Sequence, residues 1–309
     1  MIIHDGYDGL NLKSPVATLG IFDGVHQGHM ALIGRLISFA KKDNGESVVI
    51  TFSPHPRLVL DPGNTDLAFL TTIEEKITLL ENAGIDHLVV IKFNEAFSAI
   101  PACDFIRDIL VGKIGTRHLI IGFNHHFGRR GEGDINTIKQ CSEALNFKVE
   151  QIGGYYTGEV AVSSSLIRNA LLNGKLDEAN SWLGYSYSVT GTVIEGKKLG
   201  RTIGFPTANI KPDSPNKLIP SNGVYAVEVS LGDEILQGML SIGSNPTVNT
   251  DRSFRSIEVN ILNFDQDIYG RKISIIFRKR LRDEKKFDGL DQLIEQMKLD
   301  RQNALQILS

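Results

Sequence analysis

Four short apolar runs mark the first half of the chain: PVATLG (15–20), SVVITF (47–52), HLVVIKF (87–93) and HLIIGF (118–123). A strand with one wet face alternates apolar and polar residues, whereas a nearly continuous apolar run is expected of a strand covered on both faces. Runs of this kind separated by amphipathic stretches predict an α/β domain, a parallel sheet with crossover helices on both faces. In the first of these stretches, residues 29–42, Leu32, Ile33, Leu36, Ile37 and Ala40 fall on one helical face. TTIEEKITLLENAG (71–84) repeats the pattern with Ile73, Ile77 and Leu80, and Gly84 supplies a stop.

The pattern changes after residue 185. Short β-rich runs follow one another with only Gly, Pro, Asn and Asp clusters between them: YSVTGTVI, GVYAVEVSL, ILQGMLSI, RSIEVNIL and KISIIF. Closely spaced strands without intervening helices predict a small antiparallel barrel or sandwich. A long amphipathic segment, roughly LDQLIEQMKLDRQNALQIL, closes the chain as a helix. Two short helices, SSLIRNALLN stopped by Gly174 and LDEANSWL stopped by Gly184, precede the change, so the expected domains are 1–185 and 186–309.

With 309 residues, 41% of them hydrophobic and 22% charged, the chain has the make-up of a globular protein with room for two ordinary domains. A net charge of −3 without a basic stripe argues against nucleic acid as a partner. Cys103 and Cys141 fall in separate expected elements with no CxxC or Cys/His cluster, which suggests neither a disulfide framework nor a zinc site and fits a reducing cytoplasm. The start, MIIHDGYDGLNLK, lacks a basic segment followed by an apolar one, and stretches such as LIIGF are too short to span a bilayer. No membrane association is expected, and the oligomeric state stays open.

The first candidate chemistry is GIFDGVHQGHMALI (20–33). A strand ends at Gly20, Gly24 permits a sharp turn, and a helix starts at about His29, so His26 and His29 stand at a helix N-terminus. Free main-chain N–H groups and the positive end of the helix dipole make that place an anion site, where two imidazoles can donate hydrogen bonds to phosphate oxygens. The combination Phe22-Asp23-Gly24 with His26-x-Gly28-His29 strengthens this over a simple helix cap beside a surface residue.

These residues resemble the nucleotidylyltransferase superfamily, and GIFDGVHQGH is similar to the adenylyltransferase half of the prokaryotic bifunctional riboflavin kinase/FAD synthetases. The likeness continues in order through FSPHP (52–56), TTIEEK (71–76), GFNHHFGRRGEGD (122–134) and SSSLIR (163–168). It implies adenylyl transfer, in which the phosphate of FMN attacks the α-phosphorus of ATP and pyrophosphate leaves. Both reactants are anions, so the work is electrostatic and positional and needs no covalent intermediate. By the resemblance, His26, His29 and Arg168 act at the reacting phosphates. Gly20, Phe22, Asp23, Gly24, Gly28, Asn124, Ser164 and Ser165 contact ATP, and His55 and Pro56 face the flavin. Without the resemblance, Ser164 and Ser165 read as a helix cap, Arg168 as a solvated helix residue, Pro54-His55-Pro56 as a stiff turn and Arg129-Arg130 as a basic surface turn. Two departures stand out: Asn124-His125-His126 replaces the acidic and aromatic residues common there, and Ser165 replaces a threonine while keeping its hydroxyl.

The second half contains a decoy. GTVIEGKK (191–198) nearly matches GxxxxGK[ST], but Lys198 replaces the hydroxyl and no helix is expected after it, so a P-loop is rejected. The overlapping GKKLGRTIGFPTANI (196–210), with Gly196, Gly200 and Gly204, resembles the riboflavin kinase module instead. In that module Thr207 and Asn209 supply oxygen ligands to magnesium and the nucleotide phosphates, as suits a hard ion. SIGSNPT (241–247), IEVNILNFDQDIYG (257–270) and LRDEKKF (281–287) follow in order. Glu258 alternates against Ile257, Val259 and Ile261 and points to the opposite face. The resemblance makes it the base that takes the proton of riboflavin's terminal hydroxyl as that oxygen attacks the γ-phosphorus of ATP. Arg282 corresponds to a flap near the flavin.

The whole therefore implies a bifunctional transferase that uses Mg2+ with ATP to convert riboflavin to FMN and FMN to FAD. The alternatives are a chain in which only the riboflavin kinase is active, or a flavin- or nucleotide-binding regulator without turnover.

Overall fold

The computed structural model describes residues 1–123, 125–196, 200, 203–244 and 255–309. The chain forms two compact units, Met1–Ser164 and Ser165–Ser309.

The first unit holds β1 (Ile2–Asp5), β2 (Val16–Leu19), β3 (Ser47–Ser53), β4 (His87–Lys92), β5 (His118–Gly122) and β6 (Lys148–Ile152). They form one sheet in the order β1-β4-β3-β2-β5-β6, and every pair is parallel. Helices fill both faces, which is why the central strands are predominantly apolar. Val16, Val49, Leu88 and Ile120 pack with Ile33 and Leu36 of α1 (Gln27–Lys42) on one side. Their neighbours Ala17, Val48, Ile50, Val89 and Leu119 pack with Phe105, Ile106 and Ile138 on the other. Residues 105 and 106 lie in a π-helical stretch, Phe105–Val111, that continues α5 (Ala102–Asp104), and residue 138 in α6 (Ile135–Leu145). The remaining helices of this unit are α2 (Pro56–Leu60), α3 (Ile73–Asn82) and α4 (Glu95–Ser98), and Tyr156–Thr157 and Val160–Ala161 form a short ribbon, β7 and β8.

The strand order reverses at β2: the chain passes from β2 to β3 on one side and reaches β5 on the other. Such a switch point opens a crevice at the carboxyl ends of the strands, the usual ligand position in an open α/β sheet. Gly20 and the turn leading into α1 lie there.

Three features depart from the sequence expectation. Strands β1 and β6 are additional edge strands, and their half-wet patterns lack the continuous apolar signal. The π-helical stretch was not foreseen. Cys103 and Cys141, expected to be unrelated, bring their free thiols to 2.7 Å across α5 and α6, and burial followed by the neighbouring thiol pushes Cys141 up to about 11.

The second unit contains most of α7 (Ser164–Leu172), then α8 (Leu176–Leu183), which ends where Gly184, left-handed at φ 82°, donates its N–H to the Asn180 carbonyl. The strands β9 (Ser188–Ile194), β10 (Ala208–Pro212), β11 (Gly223–Leu231), β12 (Glu234–Ser244), β13 (Arg255–Ile261) and β14 (Lys272–Arg282) close into a barrel in the order β10-β13-β12-β11-β14-β9. All of its pairs are antiparallel. Of the barrel and sandwich alternatives, the structure is the closed barrel. The closing helix α9 (Leu290–Leu308) packs on β11, β12 and β14, where Ala304 joins Phe205, Val224, Ala226 and Met239. Strand β10 was missed because its stretch reads as a proline turn.

Candidate functional site

In the first unit, Gly20 N donates to the Ile50 carbonyl at 3.0 Å and the chain then turns sharply. Phe22 (φ 52°), Gly24 (φ 84°) and Val25 (φ 38°) are all left-handed, which is costly for an aromatic and a β-branched residue and requires surrounding structure to hold it. The support comes from the segment before and within α3. Asp23 Oδ1 accepts the N–H groups of Leu70 (2.9 Å) and Thr71 (3.1 Å), and Gly24 N donates to Thr71 Oγ1 at 3.0 Å. Thr72 and Glu75 cap α3 reciprocally. Lys76, only 5% exposed, donates from Nζ to the Ile21 carbonyl at 2.6 Å. Burial pushes its ammonium down to about 8, with Asp23 acting in the opposite direction. TTIEEK is thus the clamp beneath the glycine turn. Sequence reasoning recorded that motif without a role for Lys76 or Thr71, because a periodic pattern does not say what a helix packs upon.

The turn delivers His26 to the N-cap of α1, where its Nδ1 accepts the N–H of His29 at 3.3 Å. The two rings stack with centroids 3.7 Å apart, and Phe22 lies against His29 at 5.0 Å. Burial lowers His26 to about 4. Burial, then His26, then Lys76 hold His29 well below its ordinary value. Both imidazoles are therefore neutral near pH 7. His29 Nδ1 is buried without a hydrogen-bond partner among the described residues. A Cβ on Gly28 would stand 3.2 Å from the His26 ring, so glycine leaves the rings room. The Asp23 carboxylate is turned into the clamp. Ser164 Oγ, at the end of this unit, donates to the Asp23 carbonyl at 2.9 Å. Within α7, Arg168 Nη1 donates to Ser165 Oγ at 3.4 Å.

His55 caps α2, its Nδ1 accepting Arg57 N at 3.1 Å, and its ring stacks on Phe69 at 3.9 Å, while Pro56 is buried as the first helical residue. Asn124 lies outside the described residues. Just after it, burial lowers His125 to about 4, and Phe127 and Gly133 exchange main-chain hydrogen bonds across the Arg129-Arg130 turn.

In the barrel, antiparallel pairing sets Asn209 of β10 opposite Glu258 of β13, and Thr207 Oγ1 donates to Glu258 Oε2 at 3.4 Å. Ile257, Val259 and Ile261 are buried, so alternation turns Glu258 to the other face, as expected. One residue of the barrel was given no role from the sequence. Asn260 is 6% exposed, and its Nδ2 donates at 2.7 Å to the carbonyl of Pro206, fixing the peptide that precedes Thr207; its only signal is a polar side chain in an apolar run. A Cβ at Gly196 would collide with the Asn209 amide and one at Gly200 with the Phe205 carbonyl, which explains two of the glycines, while Gly204 is left-handed at φ 82°. Lys197, Lys198, Leu199, Arg201, Thr202 and residues 245–254, including most of SNPT, lie outside the described residues. Residues 191–194 of the rejected P-loop lie in β9. Arg282 ends β14 with its guanidinium locked to Asp300 of α9 by hydrogen bonds of 2.7 to 3.0 Å, and its Nη1 donates to the Asp283 carbonyl at 2.9 Å.

Comparison with known proteins covers both halves. Residues 10–166 match the FAD synthetase family and residues 183–308 the riboflavin kinase family. The chain is 38% identical over 297 residues to the bifunctional riboflavin kinase/FMN adenylyltransferase of Bacillus subtilis (strain 168), covering 95% of this chain and 92% of that protein. It is 39% identical over 289 residues to the protein of the same name from Listeria monocytogenes serovar 1/2a, with 94% and 91% covered. A crystal structure from Streptococcus pneumoniae, described as a macrolide-efflux protein, shares the fold at a TM-score of 0.87 with 30% identity over 97% of each chain. Among the described residues no helix is long and apolar enough to cross a membrane. With two matched halves in this order and this identity along nearly its whole length, the chain belongs to the bifunctional riboflavin kinase/FMN adenylyltransferase family.

Proposed function

We propose that this chain carries out two successive ATP-dependent transfers on one vitamin: riboflavin to FMN in the barrel, then FMN to FAD in the α/β unit. The observation that supports this reading is that each half gathers its own set of residues suited to holding phosphate. One is a helix N-terminus with two stacked neutral imidazoles; the other is Thr207 and Asn209 facing Glu258 across a strand pair.

In the adenylyl transfer, an FMN phosphate oxygen attacks the α-phosphorus of ATP and the bond to pyrophosphate breaks. No proton has to be removed from the nucleophile, so neutral rings that donate hydrogen bonds suit the step. Donation to a charged oxygen is worth about 1.5–3 kcal/mol per bond, and preorganisation places that gain where charge develops. Positive potential comes from the start of α1; by the family resemblance, Arg168 adds a guanidinium for the phosphates. His55 and Pro56 belong to the flavin side, and Ser164 and Ser165 to the phosphate side.

In the kinase step, Glu258 accepts the proton of riboflavin's terminal hydroxyl while that oxygen bonds to the γ-phosphorus and ADP departs. The Thr207 hydroxyl beside the carboxylate, and the amide oxygen of Asn209 on the residue paired with Glu258, would offer hard oxygen ligands, a donor set that fits a magnesium ion. Bound there with ATP, the ion would offset charge on the phosphate oxygens. Arg282 organises the flap through Asp300.

The test is a single incubation with riboflavin and Mg-ATP followed by chromatography. FMN and FAD together are the expected products. FMN alone would leave only the kinase active, and neither product would leave a flavin- or nucleotide-binding regulator.

A further inference from the structure

Beneath the glycine turn of the α/β unit lies a charge for which the chemistry above has no use. Lys76 is almost fully buried, and its Nζ reaches the Ile21 carbonyl at 2.6 Å and Thr51 Oγ1 at 3.5 Å; Thr51 Oγ1 itself donates to the same carbonyl at 3.2 Å. An ammonium taken out of water is costly unless it does something specific, because burial penalises the charged form. The charged and titratable groups facing it are Asp23 from the turn and His29 from α1, with His26 stacked behind His29; β3 contributes only the Thr51 hydroxyl.

What this contact fixes is a peptide plane. In a trans peptide the carbonyl and the following N–H point in opposite directions. With the Ile21 carbonyl drawn onto Lys76 and Thr51, the N–H of Phe22 is aimed away from them. Of the residues that follow, Phe22, Gly24 and Val25 have positive φ; Gly24 N donates to Thr71 Oγ1 and Val25 N to the Phe22 carbonyl, so the amide this peptide plane aims is that of Phe22, at the head of the turn. The other supports of the turn act on Asp23 and Gly24; among the described hydrogen bonds, the Ile21 carbonyl is held by Thr51 and Lys76.

We infer that Lys76 is a positioning residue for adenylyl transfer: its ammonium, fastened to the Ile21 carbonyl, keeps the Phe22–Val25 turn in the shape that presents the Phe22 amide and the start of α1 to the phosphates. The inference rests on the adenylyl-transfer reading of this unit and adds to it a residue that touches no substrate. Lys76 is charged at neutral pH and loses its proton as pH rises through about 8. The fastening then weakens, since a neutral amine is a poor donor and no longer attracts Asp23.

The experiment uses the full chain, with its own kinase half as the control for Mg-ATP and for integrity. FAD formation from supplied FMN and FMN formation from riboflavin are followed side by side across neutral and alkaline pH, for the wild type and for Lys76→Met. In the wild type, FAD formation is expected to fall with a midpoint near pH 8 that FMN formation does not share. In Lys76→Met, kcat/KM for ATP in FAD formation is expected to drop about tenfold or more at neutral pH, and the residual activity to lose the alkaline limb. FMN formation should stay within about twofold. A variant that makes FAD at the wild-type rate with the same alkaline limb overturns the inference. If circular dichroism shows the variant unfolded, the wild-type profiles decide, and identical alkaline behaviour of the two activities overturns it. Should the wild type form no FAD from FMN at any pH, the adenylyl-transfer reading falls first and the inference with it.

Discussion

His26 and His29 stack ring on ring, centroids 3.7 Å apart and planes 16° from parallel, and Nδ1 of the first accepts the main-chain N–H of the second. An Nδ1 that accepts leaves Nε2 to carry the proton of the neutral tautomer. The pair thus brings hydrogen-bond donors, not charge, to the start of α1, and the helix N-terminus supplies the potential that attracts an anion.

Removing one of these donors separates the two activities. His29→Ala is expected to lower FAD formation from FMN by about 100-fold, the scale for loss of a preorganised donor, while riboflavin phosphorylation is unchanged. Chromatographic rates for each product check this. A parallel fall of both would contradict the division of labour between the halves.

Acid stability follows from the same burial. Folded His26 binds a proton only near 4, against 6.5 for a free imidazole. As pH falls, the unfolded chain takes up the proton first, and the state that binds more protons gains. The stability is therefore complete above about 6.5 and drains away toward about 4. His26→Asn keeps a capping acceptor that does not titrate, so its thermal melts across that window should decline less than those of the wild type. Equal declines would show that His26 is not a source of the effect.

Glu258→Ala tests the barrel. Loss of a positioned base should cost about 100- to 10,000-fold in FMN formation. FAD formation from supplied FMN should persist, because no carboxylate of the barrel takes part in it. Assaying the two substrates separately gives the answer directly.

Asn260→Leu probes the peptide before Thr207. The Pro206 carbonyl would lose its donor, at a cost of about 0.5–1.5 kcal/mol because Pro206 is exposed and water can take the donor's place. With Thr207 less firmly held, KM for Mg-ATP in riboflavin phosphorylation should rise, with adenylyl transfer unaffected. A stability loss without any change in the kinase would make Asn260 purely structural.

How much of this could be read in advance varies by element. The apolar runs of β2 to β5 reported burial on both faces, and the alternation around Glu258 reported burial on one. Both are properties of consecutive residues, so pattern alone revealed them. The closing helix was legible for the same reason: Leu290–Leu308 coincides with the amphipathic segment. Edge strands β1 and β6 carry mixed patterns because water reaches them, and β10 hid behind a proline.

The sequence by itself determined which faces are apolar, where the chain turns, and that histidines, glycines, threonine and glutamate stand in familiar series. The tertiary structure decided the partners. Lys76 lies under Ile21 across 55 positions, Thr207 reaches Glu258 across 51, and Asn260 holds Pro206 across 54. Periodicity states that a surface is buried but carries no record of what buries it. That depends on strand order and on the closure of the barrel, which are settled only when distant segments pack together.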